Sequence, residues 1–158
     1  MNIWGITHRG VVREENQDAF AVQTLAENKL LAVVCDGMGG ARAGNIASTL
    51  AVDSFLELFG QLWKDKQVAD EQMLESAAAY ANEVVHRRST TDESCFGMGT
   101  TMVAALLDGS RAVILNEGDS RAYYITQKDI TRITRDHSLV EDLVLRGDLT
   151  PEIGRAHV

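Results

Sequence analysis

An α+β fold follows from two hydrophobic periodicities and from the order in which they alternate. Short apolar runs toward both ends of the 158-residue chain read as strands, and two long stretches between them repeat apolar residues every three or four positions. Strands, then two helices, then strands again is unlike the strict alternation of a doubly wound domain. Apolar residues make up 45% and charged residues 24% of the sequence, enough for one unit with its own core.

Asn2 to His8 and Ala19 to Thr24 fit strands. Leu30-Leu31-Ala32-Val33-Val34-Cys35 is a continuous apolar run ending at Asp36-Gly37, which predicts a buried strand that carries a carboxylate at its end. From about Ala43 to Trp63 the period changes: Ile46, Ala47, Leu50, Ala51, Leu58 and Phe59 mark one face of a helix. Leu74, Ala77, Ala78, Ala81, Val84 and Val85 mark a second. Two apolar stripes need a common partner, and a sheet supplies it. Strands return at Thr100 to Leu107 and Ser110 to Leu115, flanking Asp108-Gly109, a dipeptide that tolerates positive φ in a tight hairpin. Arg121 to Thr126 and Asp129 to Ile133 form another pair turning at Gln127-Lys128. Ser138-Leu139-Val140-Glu141 has capping-box spacing and predicts a short helix that stops at Gly147.

Composition narrows the function classes. The formal charge is −8, from 23 acidic and 15 basic residues, which argues against a nucleic-acid or anionic-membrane partner and suits a site that collects cations. No apolar run reaches the length of a membrane span, and Met1-Asn2-Ile3-Trp4-Gly5 lacks the basic and apolar parts of a signal peptide, so a cytosolic location is expected. Cys35 and Cys95 are too few for a disulfide framework and lack metal-ligand spacing; Cys35, inside an apolar run, reads as a core residue.

Five short segments could carry chemistry. Asp36-Gly37-Met38-Gly39-Gly40 places a carboxylate and free backbone carbonyls at the end of a strand, the oxygen donors that Mg²⁺ and Mn²⁺ take. The same segment could simply be a glycine turn whose aspartate caps the next helix. It is no nucleotide P-loop, since no Lys-Ser or Lys-Thr follows, and its glycine spacing is not that of a dinucleotide fingerprint. Arg13 and Asp18 stand five residues apart before a strand; arginine can grip a phosphate with two parallel hydrogen bonds, though a charged surface loop reads equally well. Gly118-Asp119-Ser120-Arg121 is either a further acidic site or a β-turn closed by Asp119. Gly99-Thr100-Thr101 and Asp136-His137-Ser138 complete the set.

Taken in order and spacing, these five segments closely resemble the type-2C metal-dependent protein serine/threonine phosphatases, in their compact bacterial form, from Gly5 to about Thr150. The resemblance implies a sandwich of two antiparallel sheets flanked by helix pairs, here a partial four-layer α-β-β-α arrangement, with residues 1–158 one catalytic domain. It implies hydrolysis of phosphoserine and phosphothreonine in proteins, opposing bacterial serine/threonine kinases, by a water held between two Mn²⁺ or Mg²⁺ ions. By that analogy Asp36 bridges both ions, Gly37 lends its carbonyl to one, Asp18 holds metal-bound water, Arg13 binds the substrate phosphate, and Asp119 helps hold a third, weaker ion. Gly99-Thr100-Thr101 and Arg121 are assigned to structure. Met38 and Ala41 stand where many relatives carry histidine, which leaves no evident proton donor for the leaving oxygen beyond a weak candidate in His137.

The family also continues past this point, with two more metal-binding aspartates in Asp-Gly and Asp-Asn motifs that are absent after Gly147, while Thr150-Pro151-Glu152 has the form of a helix start. The domain is therefore expected to be incomplete at its C-terminus. The rival expectation is a truncated or degenerate phosphatase-like domain that binds phosphoproteins without turnover; a small-molecule phosphohydrolase is a third.

Overall fold

The computed structural model describes residues 2–65, 67–146 and 148. Two long helices pack on one face of an antiparallel sheet, as the order of periodicities predicts. The sheet runs β1 (Asp18–Ala26), β2 (Lys29–Met38), β4 (Met102–Asp108), β5 (Arg111–Glu117), and the two-residue β3 (Gly99–Thr100) pairs with the far end of β2. β2 is the central strand: Leu31, Val33 and Cys35 point into the core, and Ala32 and Val34 point to the other face.

Helix α1 (Gly40–Leu62) and helix α2 (Asp70–Thr91) cover the core face. Ten residues of β2 span roughly 33 Å, and the 23 residues of α1 span about 35 Å, so the helix doubles back along the whole strand. Its buried stripe is small at one end and large at the other: Ala43, Ala47 and Ala51, then Phe55 and Phe59. Phe55, Phe59 and Trp63 stack in series, with centroids 6.0 and 6.3 Å apart. At that end Lys29 Nζ lies 5.1 Å above the Trp63 ring and 2.8 Å from Asp70. Arg111 pairs with Asp70 at 3.4 Å and also with Glu71, tying the first turn of α2 to the sheet.

Three details differ from the sequence reading. Asn2 to His8 is not a strand: it has no ladder partner, and Trp4 and Ile6 are 94% and 93% exposed. An apolar alternation makes a strand only where a neighbouring backbone can pair with it. The β4–β5 loop is Gly109-Ser110, with Asp108 already paired to Arg111; Gly109 takes φ +56 at the first central position, as a type II′ turn requires. The second predicted hairpin forms, but only as β6 (Tyr123–Ile125) and β7 (Ile130–Arg132), a two-stranded sheet apart from the first. Helix α3 (Leu139–Arg146) begins where expected, with the Glu141 amide donating to Ser138 Oγ at 3.2 Å. Gly147 and Thr150-Pro151-Glu152 lie outside the described residues.

Candidate metal and phosphate site

Backbone contact fixes the end of β2. Gly37 N–H donates to the Gln17 carbonyl at 3.0 Å, and a Cβ on Gly37 would lie 1.9 Å from the Gly44 carbonyl oxygen. Only glycine fits there. Gly44 in α1 returns the constraint, since a Cβ on it would lie 2.7 Å from the Gly37 carbonyl oxygen. Gly39 enters the helix at φ +135, with Met98 against it. The first turn of α1 is thereby pressed onto the residue that follows Asp36.

Asp18, the first residue of β1, lies directly opposite Asp36 in register. Such Cα pairs are about 4.5–5.5 Å apart. Asn16 Oδ1 accepts from the Asp18 amide at 3.1 Å and its Nδ2 donates to Thr7 Oγ1 at 2.7 Å, which orders the loop between Arg13 and Asp18. Partial burial raises the Asp36 carboxyl above the ordinary carboxylate range; the charges of Asp18 and Asp119 push the same way, and the Arg13 guanidinium opposes them. Arg13, Asp18 and Asp119 thus all act electrostatically on Asp36. All four side chains are solvent-accessible.

The Asp36 backbone is held from the other side by the Gly99-Thr100-Thr101 segment. Its carbonyl accepts from Thr101 N and Thr100 Oγ1, both at 2.9 Å, and its amide donates to Thr101 Oγ1 at 3.0 Å. The loop Gly118-Asp119-Ser120 docks onto the same threonine. Asp119 does not close that turn on itself: His137 N donates to the Gly118 carbonyl at 2.8 Å, and Ser120 Oγ lies 2.6 Å from Thr101 Oγ1. Arg121 serves structure, as expected. Its Nε reaches both Asp136 oxygens at 3.0 and 3.1 Å, its Nη2 lies 2.6 Å from Oδ2, and the Asp136 carboxyl is held below its usual range by that bonding. His137 lies 3.7 Å from Glu117 at the border of a cavity of about 780 Å³ that also touches Met38, Thr100 and Asp119. Burial pushes the Cys35 thiol up to about 12, so it carries no thiolate near neutral pH.

The donor set suits a hard divalent cation. Asp36 meets the charges of two other carboxylates and one arginine among the described residues, and carboxylate and carbonyl oxygens are the ligands such ions take. Among the described residues, no three or more His, Cys, Asp or Glu side chains converge closely enough to hold an ion by themselves. Thr101, Ser120 and Gly44 were not legible as site residues, because a threonine in a strand and a glycine in an alanine-rich helix each have a blander explanation.

An antiparallel sheet under two helices, with Asp18 opposite Asp36 at its end, defines a mixed α and β class of protein. The sequence model of the protein phosphatase 2C family matches residues 7–140, and the chain belongs to that family. It is 35% identical over 156 residues to the serine/threonine phosphatase Stp of Listeria monocytogenes, an alignment that covers 96% of this chain and 60% of that one. Among solved structures it is similar to Stp1 of Staphylococcus aureus, at TM-score 0.78 and 36% identity, covering 93% of this chain and 58% of that one. It is also similar to the catalytic domain of PstP in complex with two manganese ions, at TM-score 0.74 and 32% identity, covering 96% and 61%. These relatives bear out the expected fold class, and the chain spans about 60% of the length of the Listeria serine/threonine phosphatases it matches.

Proposed function

We propose that this chain carries one side of the active site of a Mn²⁺- or Mg²⁺-dependent phosphoprotein phosphatase, specific for phosphoserine and phosphothreonine. The direct opposition of Asp18 and Asp36 beside Arg13 carries the reading, and the names of the relatives agree with it. Residues 1–158 act as the first part of one catalytic domain, working in the cytosol on proteins phosphorylated by serine/threonine kinases. Both cysteines are free, in keeping with a reducing compartment, and no helix among the described residues is long and apolar enough to cross a membrane.

Asp36 supplies both carboxylate oxygens, Gly37 its carbonyl, Asp18 an anchor for ordered water, and Asp119 a further anionic contact. Divalent ions held by these groups would supply an activated water and neutralise charge on the phosphoryl group. Arg13 holds the substrate phosphate by paired hydrogen bonds so that water meets phosphorus opposite the ester oxygen. The water oxygen forms a new bond to phosphorus and gives up a proton to solvent. The phosphorus–ester bond breaks and its electron pair leaves on the serine or threonine oxygen, which takes a proton from solvent to give the free hydroxyl and inorganic phosphate. Neither cysteine is placed to act as a nucleophile, since both are fully buried.

Asp36→Asn in the complete gene product is expected to abolish Mn²⁺-dependent hydrolysis of an aryl phosphate with the circular dichroism spectrum unchanged. Asn cannot replace the bridging charge. Near-normal turnover at saturating Mn²⁺ would remove Asp36 from the centre of the site.

A further inference from the structure

We infer that Thr101 is a positioning residue that fixes Asp119 relative to Asp36 through a hydroxyl bridge to Ser120. The inference rests on the reading of Asp36 and Asp119 as ligands. Thr101 sits at the break between β3 and β4, where the ladder is interrupted for one residue. Its amide donates to the Asp36 carbonyl, and its hydroxyl accepts from the Asp36 amide. That hydroxyl also shares the 2.6 Å hydrogen bond with Ser120, one residue after Asp119. The methyl group holds the residue before: Gly118 takes φ +100, and a Cβ on it would lie 2.8 Å from Thr101 Cγ2. One side chain therefore grips both neighbours of Asp119 while bonded to the backbone of Asp36.

Strand propensity accounts for a β-branched residue at this position but not for the choice among Val, Ile and Thr. Valine keeps the methyl and loses the bridge. Serine keeps the bridge and loses the methyl. Only threonine has both.

The test compares Thr101→Val, Thr101→Ser, Ser120→Ala and the Thr101→Val/Ser120→Ala pair in the complete gene product. Without metal, exchange of the His137 amide, which donates to the Gly118 carbonyl beside Asp119, should quicken about tenfold in Thr101→Val, the loss of one bridging hydrogen bond, and recover in Thr101→Ser. Ser120→Ala should add little in the Thr101→Val background. Mn²⁺ titration followed by electron paramagnetic resonance should show the weaker of the bound ions released several-fold more readily in Thr101→Val, with Thr101→Ser near the parent. Unchanged exchange in Thr101→Val, additive effects of the pair, or failure of serine to restore exchange would overturn the inference. Absence of Mn²⁺ uptake by the parent would overturn the ligand reading instead, and the exchange data would still decide the bridge.

Discussion

Residue by residue, the site divides into groups that meet solvent and groups that hold them. Arg13 belongs to the first kind: it is exposed and acts on Asp36 through its charge. A guanidinium that served only to balance carboxylates would alter cation affinity when removed. One that grips phosphate would not. Arg13→Ala in the complete gene product is therefore expected to weaken transition-state binding by about 1.5–3 kcal/mol, the worth of charge-assisted hydrogen bonds. Phosphopeptide kcat/KM should fall about tenfold or more, with Mn²⁺ affinity by calorimetry unchanged; lost metal binding would assign Arg13 to structure. Arg13, Asp18, Asp36 and Asp119, the residues of the proposed site, stood out in the sequence because chemistry-bearing residue types recur in a fixed order. Thr101 did not, because its polar partner lies 19 residues further on and no local pattern links them. The Gly118-Asp119-Ser120 segment left two readings open, an acidic site or a turn closed by its aspartate, and the structure shows the serine, not the aspartate, making the local bond.

The elements were legible where one apolar face meets another. Helix α1 and β2 fall within a few residues of their predicted bounds, and α2 contains the whole predicted stripe, since these apolar faces are buried against each other. Asn2 to His8 fails for the complementary reason. Pairing is decided by a neighbour, and sequence alternation names no neighbour. How closely α1 approaches β2 was equally hidden, because it depends on two glycines seven residues apart that meet backbone to backbone. They give an internally controlled prediction. Gly44→Ala would put a Cβ 2.7 Å from the Gly37 carbonyl oxygen and 2.9 Å from Gln17 Cδ, so the helix must shift, at about 1–3 kcal/mol. Gly60→Ala, in the same helix, meets nothing within 4 Å and should stabilise by about 0.5–1 kcal/mol through helix propensity. Urea denaturation of both variants checks the pair. Equal effects would mean that the Gly37–Gly44 contact does not set the helix position.

Across the described residues, the sheet has one face under helices and one largely open, with residues 3–7 lying beside Phe20 at one end of it. On the open face Phe20, Val34 and Val103 form one cross-strand row, and Val22, Ala32, Ala105 and Ile114 form the next. Phe20 is 37% and Val34 49% exposed. The separate hairpin adds Tyr123, Tyr124, Ile125 and Ile130, each exposed. Antiparallel sheets with apolar second faces pack against another sheet, and an apolar area left in water favours association. The same arrangement limits chemistry, since the described residues bring no three ligating side chains together. The 158-residue chain by itself is therefore expected to associate, to bind Mn²⁺ weakly, and to hydrolyse a phosphothreonine peptide far more slowly than the complete gene product. Val34→Lys should reduce association by placing a charge in the middle of the open face, while the helix-covered core, to which Val34 does not contribute, keeps the far-ultraviolet circular dichroism of the parent. Sedimentation velocity with and without the substitution, together with a Mn²⁺ titration of peptide turnover, reads all of these quantities. A monomer of this length that matched the turnover of the complete gene product would show that the open face needs no cover and that the ions find their remaining ligands within these residues.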